Sequence, residues 1–168
     1  DTFTRRIANL ETDRWENPSP CEGWSAKEVL DHVIDTQRDV FGNRGLELGP
    51  RPEGAPHEAW AAHAAAVRSA VTDEETLLAT YDSFFGPTTL ADTLLSFYRF
   101  DLIIHAWDIQ RAAGNDLELS DTELAFLETC IPSWGDIFYQ DGICKRPVEV
   151  PDDADRQTRV LALTGRRC

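Results

Sequence analysis

The sequence is short of basic residues, contains no methionine and has no long apolar run. Its 16 lysines and arginines face 30 aspartates and glutamates, which gives a formal net charge of −14. Because so acidic a surface repels nucleic-acid phosphates and anionic lipids, we expect neither as a partner. Because no apolar run approaches the ~18–20 residues that cross a bilayer, we expect no membrane span. The absence of methionine leads us to expect that the natural N-terminus lies upstream of Asp1.

Cysteine is also scarce, and its spacing matches none of the common zinc-binding patterns. The four cysteines are Cys21, Cys130, Cys144 and Cys168, and no two of them form a C-x-x-C pair. The first residues contain no apolar stretch of the signal-peptide kind. Cysteines without a secretory signal are typical of reduced thiols, so we expect a cytoplasmic protein. Cys21 lies just before a predicted helix, where we expect it to act as a small packing residue.

Several motifs of well-known enzyme classes are absent as well. The sequence has no Walker loop, no dinucleotide-binding glycine pattern, no nucleophile elbow and no H-E-x-x-H zinc motif. Strand signals are nearly absent, because only residues 148–150 have the composition of a strand. These absences favour a helical protein and give no sign of nucleotide binding or serine-type hydrolysis.

Helical signals, in contrast, run through the whole chain. Two capping boxes, Ser25-Ala-Lys-Glu28 and Ser120-Asp-Thr-Glu123, predict helices that run to about Phe41 and to about Ile131 or beyond. Further helical segments are predicted at about 1–14, 57–71, from 72 through 78, 90–113 and 154–163, the last after an extended segment at 146–151. We therefore predict a single all-α domain over 1–168, a four-helix bundle with short extra helices and a short extended C-terminal segment.

The predicted helix over 90–113 is apolar on nearly every side, so it belongs in the centre of the core. Asp101, His105 and Asp108 interrupt it. At ~100° per residue these side chains fall within a sector of about 60°, and Asp101 and His105 lie one above the other. A buried carboxylate is costly unless it is paired. A divalent cation would pair with the carboxylate and the imidazole together; the alternative is a simple hydrogen bond between Asp101 and His105.

A third donor comes from the helix that starts after Ser25. His32 lies at the edge of the apolar stripe of that helix, where a bundle helix faces a groove. Together, His32, Asp101 and His105 would form a three-ligand set with open positions for water or substrate. Asp35, one turn further on, and Asp108 are candidates for orienting the imidazoles. The alternative for His32 is a surface histidine.

The other histidines and two tryptophans have simpler expected roles. We expect His57 and His63 to be surface or packing residues. Trp24 and Trp107 flank the candidate ligands in the sequence and could wall a pocket, although core packing is the usual role of tryptophan.

Three blocks of this sequence resemble one known family. The stretch from Trp15 to His32 (WENPSPCEGWSAKEVLDH) is similar to the opening of the DinB/YfiT-like metalloproteins. It is most similar to the actinobacterial branch related to the N-terminal domain of mycothiol-dependent maleylpyruvate isomerase. The block from Asp101 to Asp108 (DLIIHAWD) resembles the second metal motif of that branch, and the tail LALTGR resembles its C-terminal end.

The resemblance implies a DinB-like four-helix bundle with a three-ligand metal site, usually for zinc or nickel. By motif match, the metal ligands are His32, Asp101 and His105. In the maleylpyruvate isomerase the middle ligand is a glutamate, so the shorter Asp101 is a departure.

Many members of the family use a low-molecular-weight thiol such as mycothiol, which a metal with open positions can bind and activate as a thiolate. The resemblance therefore implies a metal-dependent thiol S-transferase or isomerase, with a small-molecule thiol and an electrophilic substrate as partners. A non-enzymatic metal- or ligand-binding bundle is the main alternative, and a metal-free structural bundle is another. A homodimer is the default expectation for assembly, because two-fold dimers are the commonest.

Overall fold

The computed structural model describes residues 2–167 and is predominantly helical, which confirms the predicted fold class. Its α-helices are α1 (Thr2–Ile7), α2 (Ala26–Gly42), α3 (Pro56–Ala70), α4 (Glu74–Leu78), α5 (Leu90–Asp92), α6 (Arg99–Ala112), α7 (Asp121–Trp134) and α8 (Arg156–Ala162). The helical part also includes two 3-10 helices, Thr12–Glu16 and Gly135–Tyr139, and a π-helical segment, Thr93–Tyr98. Within the described residues, no helix is long and apolar enough to cross a bilayer.

The chain divides into two compact units. The first contains residues up to 81 together with 88–116, and the second contains 82–87 and the residues from 117 onward. In the first unit, four helices form a bundle in which α2 packs on α6 and α3, and α1 packs on the same two helices. In the second unit, α7 packs on α8 and on the 3-10 helix that follows it. The single domain over 1–168 stays a prediction.

Large apolar side chains fill the core of the first unit. The fully buried ones include Ile7, Trp15, Leu30, Ile34, Phe41, Leu90, Ile104 and Ile109. Burial of one such side chain contributes roughly 1.5–3 kcal/mol. The predicted apolar stripe of α2 faces this core, and ten of the 14 residues of α6 are buried. The prediction that the helix bearing Asp101 and His105 runs through the centre of the core is therefore confirmed.

Both predicted capping boxes are present. The Ser25 hydroxyl accepts a hydrogen bond from the Glu28 amide, and the Glu28 carboxylate accepts one from the Ser25 amide at 2.7 Å. Ser120 and Glu123 form the same reciprocal pair at the start of α7. Each box satisfies amides that the first helical turn leaves without partners. The box at Ser25 thereby fixes the start of the helix that carries His32.

The first predicted helix is too long. Its start at Asp1 lies outside the described residues, and α1 ends at Ile7. The chain then turns at residues 8 and 9, Glu11 is extended with a ψ of 144°, and a 3-10 helix carries Trp15 into the core. Residue 9 is an asparagine, whose side chain competes with helical backbone hydrogen bonds, so the helical pattern breaks there.

A short hairpin is the second difference from the sequence analysis. β1 (Thr80–Ser83) and β2 (Gly86–Thr89) form a two-stranded sheet that was not predicted. Each strand has four residues, too few for a periodic signal. Gly86 takes a φ of 103°, which favours glycine at the reversal of the chain. Residues 148–150, whose composition resembles a strand, form no regular strand.

The helix predicted over 90–113 contains a π-helical segment. α5 leads into Thr93–Tyr98, and α6 follows directly. The hydroxyls of Thr93 and Ser96 donate to backbone carbonyls four residues earlier, a contact that competes with the regular helical ladder. Such π segments occur mostly as local insertions in α-helices, often at functional sites. This one ends three residues before Asp101 and so influences the rotation at which α6 presents its polar side chains.

Candidate metal centre

The three predicted metal ligands lie on two helices of the first unit that pack directly on each other. α2 carries His32, and α6 carries Asp101 and His105 one turn apart. The rings of His32 and His105 meet edge to face, with centroids 5.4 Å apart. Each of the three side chains offers a ligand atom, and these atoms all lie within 4.8 Å of one another. The structure therefore brings the three residues together as one potential ligand set.

Asp101 is the member of this set whose hydrogen bonding is incomplete. Its Oδ1 lies 3.2 Å from Nε2 of His105, and its side chain is only 13% exposed. Its second oxygen, Oδ2, is buried and has no hydrogen-bond partner among the described residues. An unpaired buried polar oxygen is costly and uncommon in folded proteins. A cation at this position would satisfy the oxygen, whereas the hydrogen bond to His105 leaves it unpaired.

Asp108 holds the opposite side of the His105 ring. It is fully buried, and its Oδ2 lies 2.9 Å from Nδ1 of His105. Because an ionised carboxylate can only accept hydrogen bonds, Nδ1 is the donor. The other nitrogen, Nε2, is the one beside Asp101. A carboxylate behind a ligating histidine commonly fixes its tautomer and ring orientation in metal sites.

The charges around His105 favour the protonated form of its ring when no metal is bound. Burial alone would lower its pKa, but the charge of Asp101 and the hydrogen bonds to Asp101, Asp108 and Cys21 raise the pKa well above its usual value. An incoming divalent ion would therefore replace a proton on this ring. Negatively charged surroundings that favour a proton on the ring also favour a metal cation in the place of that proton.

The surroundings of His32 shift its pKa in the opposite direction to that of His105. Burial lowers the pKa of His32, although the charge of Asp101 opposes this effect. A neutral imidazole offers a nitrogen lone pair to a metal. The Trp24 ring lies beside it, with centroids 4.8 Å apart, and is 38% exposed. Trp24 thus partly covers the His32 ring, whereas Trp107, the other predicted wall residue, is buried in the core.

Asp35, one of the two predicted orienting residues, is used elsewhere. Its Oδ1 accepts a hydrogen bond from Arg51 at 2.6 Å, and Arg51 also donates to Asp31 at 2.7 Å. These contacts fasten the loop after α2 to that helix. The hydrogen bonds that the described residues show for Asp35 go to Arg51, so its expected role beside the imidazole stays a prediction. Asp108 is the carboxylate that holds a ring of the candidate set.

The other two histidines, His57 and His63, lie outside this ligand set. His57 is exposed, and His63 is buried with Nε2 3.0 Å from Oε1 of Gln37, so each takes one of the two roles expected for them. Within the described residues, none of the cysteines forms a disulfide. Cys168 lies outside that part of the chain.

Cys21 is the residue that the sequence analysis missed. Its thiol donates a hydrogen bond to Oδ2 of Asp108 at 3.2 Å. The expectation of a simple packing residue did not include this contact. Cys21, Asp108 and His105 form a second group of potential ligand atoms within 4.8 Å of one another. Cys21 and Asp108 are 87 residues apart in the chain, and no local spacing rule relates them. Only the tertiary fold reveals this contact.

The donor set suits a resident divalent ion. Two imidazoles and one carboxylate are nitrogen and oxygen donors that zinc and nickel both accept. Three protein donors leave coordination positions open, which is the arrangement of catalytic rather than structural zinc sites. Together with the unpaired oxygen of Asp101, this chemistry fits a metal held by His32, Asp101 and His105.

Two uncharacterized proteins of Mycobacterium tuberculosis are similar to this chain, one from strain CDC 1551 / Oshkosh and one from strain ATCC 25618 / H37Rv. Each is 30% identical to it over 129 residues, a region that covers 74% of this chain and 68% of the relative. No solved structure matches the chain.

The family comparison covers the whole candidate site. The family described as mycothiol maleylpyruvate isomerase N-terminal domain matches residues 1–110. This region includes His32, Asp101 and His105, and it also includes Cys21 and Asp108. The predicted relationship is therefore confirmed: the chain belongs to the mycothiol maleylpyruvate isomerase N-terminal domain family.

Proposed function

We propose that this chain is a divalent-metal-dependent S-transferase or isomerase that uses a low-molecular-weight thiol of the mycothiol type. His32, Asp101 and His105 would hold the metal, either zinc or nickel. The observation that carries the proposal is the open three-donor set in which one buried oxygen of Asp101 has no partner. Membership of a family whose description names mycothiol supports the choice of thiol.

The chain's own residues prepare the position that the thiol would occupy. A divalent ion in such an open site would lower the pKa of a bound thiol, so that its thiolate is available near neutral pH. Asp108 holds His105 so that Nε2 is offered in a fixed direction. Burial lowers the pKa of His32, which favours the neutral ring that can act as the second nitrogen donor, and Trp24 lies against that ring.

The proposed co-substrate is a small molecule with an electrophilic carbon. The thiol would lose its proton and its sulfur would form a bond to that carbon, while the displaced electron pair departs with a leaving group or, where a double bond is attacked, takes up a proton on the neighbouring atom. The proposed compartment is the cytoplasm, where thiols of this kind stay reduced. Both statements follow from the thiol chemistry, and the assay of thiol consumption tests the first of them.

Elemental analysis of the purified protein, before and after reconstitution with zinc or nickel, tests the metal site. His32→Ala and His105→Ala each remove one donor, and His57→Ala is the matched control because it removes an exposed histidine outside the set. We expect about one ion per chain in the wild type and the control, and a large loss of metal in both site variants. Unchanged metal content in both site variants would contradict the proposal.

The enzymatic part is tested separately with the same variants. Mycothiol or bacillithiol consumption in the presence of a series of electrophiles is expected to require the reconstituted metal and to be lost in His32→Ala and His105→Ala. Stoichiometric metal without turnover of any thiol and electrophile pair would favour the non-enzymatic metal- or ligand-binding bundle instead.

A further inference from the structure

One turn of the chain contacts the surroundings of both histidines of the proposed site. This turn, residues 17–25, connects the first 3-10 helix to α2, and we call it the cysteine turn. At its end Trp24 lies against the His32 ring. In its middle Cys21 donates to the same oxygen of Asp108 that accepts from His105.

Backbone contacts hold the cysteine turn in a defined conformation. The Ser19 amide donates to the Trp24 carbonyl at 2.8 Å, and the Trp24 amide donates to the Cys21 carbonyl at 3.0 Å. The side chain of Asn17 donates to the carbonyl of Ala112 at 2.9 Å, which joins the turn to the end of α6. The position of the Cys21 thiol is therefore set by the backbone of the turn and by its attachment to the helix that carries Asp108.

We propose that Cys21 is a positioning residue for the metal site: its thiol holds the carboxylate of Asp108, and Asp108 in turn holds His105. The inference rests on the proposed function. Two donors on one buried oxygen restrict the rotation of the carboxylate, because any rotation weakens both contacts. Hydrogen bonds to a charged acceptor are stronger than neutral ones, although a thiol is a weak donor.

The distances favour this role over a role for Cys21 as a metal ligand. Sγ of Cys21 and Nδ1 of His105 lie 3.2 Å and 2.9 Å from the Asp108 oxygen, which is hydrogen-bond geometry with a proton between each pair of atoms. An ion among these three residues would have to displace both protons. It would also break the contact that fixes the tautomer of His105 for the set with Asp101.

Cobalt titration in competition with a chelator measures the predicted effect. Cys21→Ala is expected to weaken cobalt binding about 10-fold, the low end of the effects seen for partners behind metal ligands. Cys21→Ser is expected to restore most of the affinity, because its hydroxyl can donate to the same oxygen. Cys144→Ala is the matched control, since it removes a thiol of the second unit that donates to the carbonyl of Thr164. Its affinity is expected to equal that of the wild type.

The visible spectrum of the cobalt protein separates positioning from ligation. We expect bands typical of nitrogen and oxygen ligands and no thiolate-to-cobalt charge-transfer band in the wild type. Equal cobalt affinity in the wild type and Cys21→Ala would overturn the inference. A charge-transfer band that Cys21→Ala removes would also overturn it, because Cys21 would then be a ligand.

A measurement on the metal-free protein keeps this inference distinct from the proposed function. If the wild type binds no cobalt, the proposed function fails, and the hydrogen-bond chain is tested by nitrogen NMR of His105. The proton on Nδ1 is expected to exchange with water faster in Cys21→Ala than in the wild type or Cys21→Ser. Equal exchange in all three proteins would overturn the chain from Cys21 through Asp108 to His105.

Discussion

Two buried histidines of the first unit differ in the groups that surround them. His105 lies between the carboxylates of Asp101 and Asp108. His63 on α3 faces the neutral side-chain amide of Gln37, at 3.0 Å. Burial acts on both rings to lower the pKa. At His105 the carboxylates outweigh burial and raise the pKa well above its usual value, whereas at His63 burial prevails and lowers the pKa to about 4.

The comparison shows that burial alone does not make a histidine a metal ligand. Nε2 of the His63 ring is paired with the side-chain amide of Gln37, whereas Nδ1 is buried without a hydrogen-bond partner among the described residues. The positive charge of Arg38 adds to the effect of burial and lowers the pKa of this ring further. Burial and the positive charge of Arg38 both disfavour a cation beside this ring. Around His105, two carboxylates supply negative charge that a divalent ion would balance. The sign of the local charge therefore separates a core histidine from a candidate ligand.

The largest expected effect comes from making the surroundings of His63 resemble those of His105. Gln37→Glu places a carboxylate beside the buried ring, and we expect the pKa of His63 to rise from about 4 to above its ordinary value of 6.5. This rise means that the surroundings stabilise the protonated ring, relative to the neutral ring, by roughly 3 kcal/mol more than in the wild type. A proton NMR titration of the His63 ring measures it. A pKa that stays near 4 in the variant would show that local charge does not decide the difference.

The opposite change removes charge from the candidate metal centre. Asp101→Asn keeps the shape of the side chain, and we expect zinc affinity to fall about 100-fold, the upper end of the effects seen even for residues behind a ligand. Asp35→Asn is the control, because Asp35 pairs with Arg51. Chelator competition measures both affinities. Equal losses in the two variants would mean that the acidic character of the surface, and not the ligand set, attracts the ion.

The depressed pKa of His63 also predicts a pH dependence of stability. Because the folded protein binds the His63 proton more weakly than the unfolded chain, this contribution is full above pH 6.5 and is lost as the pH falls toward 4. We expect it to destabilise the protein by about 2 kcal/mol between pH 7 and pH 5. Urea unfolding of the wild type and of His63→Gln, which lacks the titrating group, isolates the effect. Identical pH profiles would contradict the prediction.

The smallest effect concerns the cysteine turn, which contacts the surroundings of His105. Gly23 in this turn has a φ of 81° and open space around its Cα, so Gly23→Ala adds backbone strain without a clash. We expect a loss of about 1–2 kcal/mol in the free energy of unfolding. Gly42→Ala is the control, since Gly42 has no positive φ and equally open space. A similar loss of unfolding free energy in the control would show that backbone strain at residue 23 is not its cause.

The sequence predicts those parts of the site that lie on one helix. Asp101 and His105 follow from the i, i+4 spacing on an apolar helix, and the capping box at Ser25 correctly places the start of α2. His32 comes from another helix. Its position at the edge of an apolar stripe made it a candidate third donor, with a surface histidine as the alternative, and the family resemblance favoured joining it to the pair. Local periodicity relates residues within a segment and says little about which segments meet.

The contacts that could not be predicted are tertiary. Cys21 meets Asp108, and Gln37 meets His63, across distances in the chain that no periodic pattern spans. The hairpin formed by β1 and β2 was missed for a different reason. Its strands are too short to show alternation, and its glycine and proline resemble a simple break in the chain.

Anomalous diffraction from a crystal of the zinc-loaded protein tests the central claim most directly. We predict one strong peak, within ~2.0–2.2 Å of a nitrogen of His32, Nε2 of His105 and an oxygen of Asp101. Asp108 would keep its hydrogen bond to Nδ1 of His105 in that crystal. A zinc peak coordinated by Cys21 and Asp108, or no peak between α2 and α6 in protein that contains stoichiometric zinc, would contradict the account.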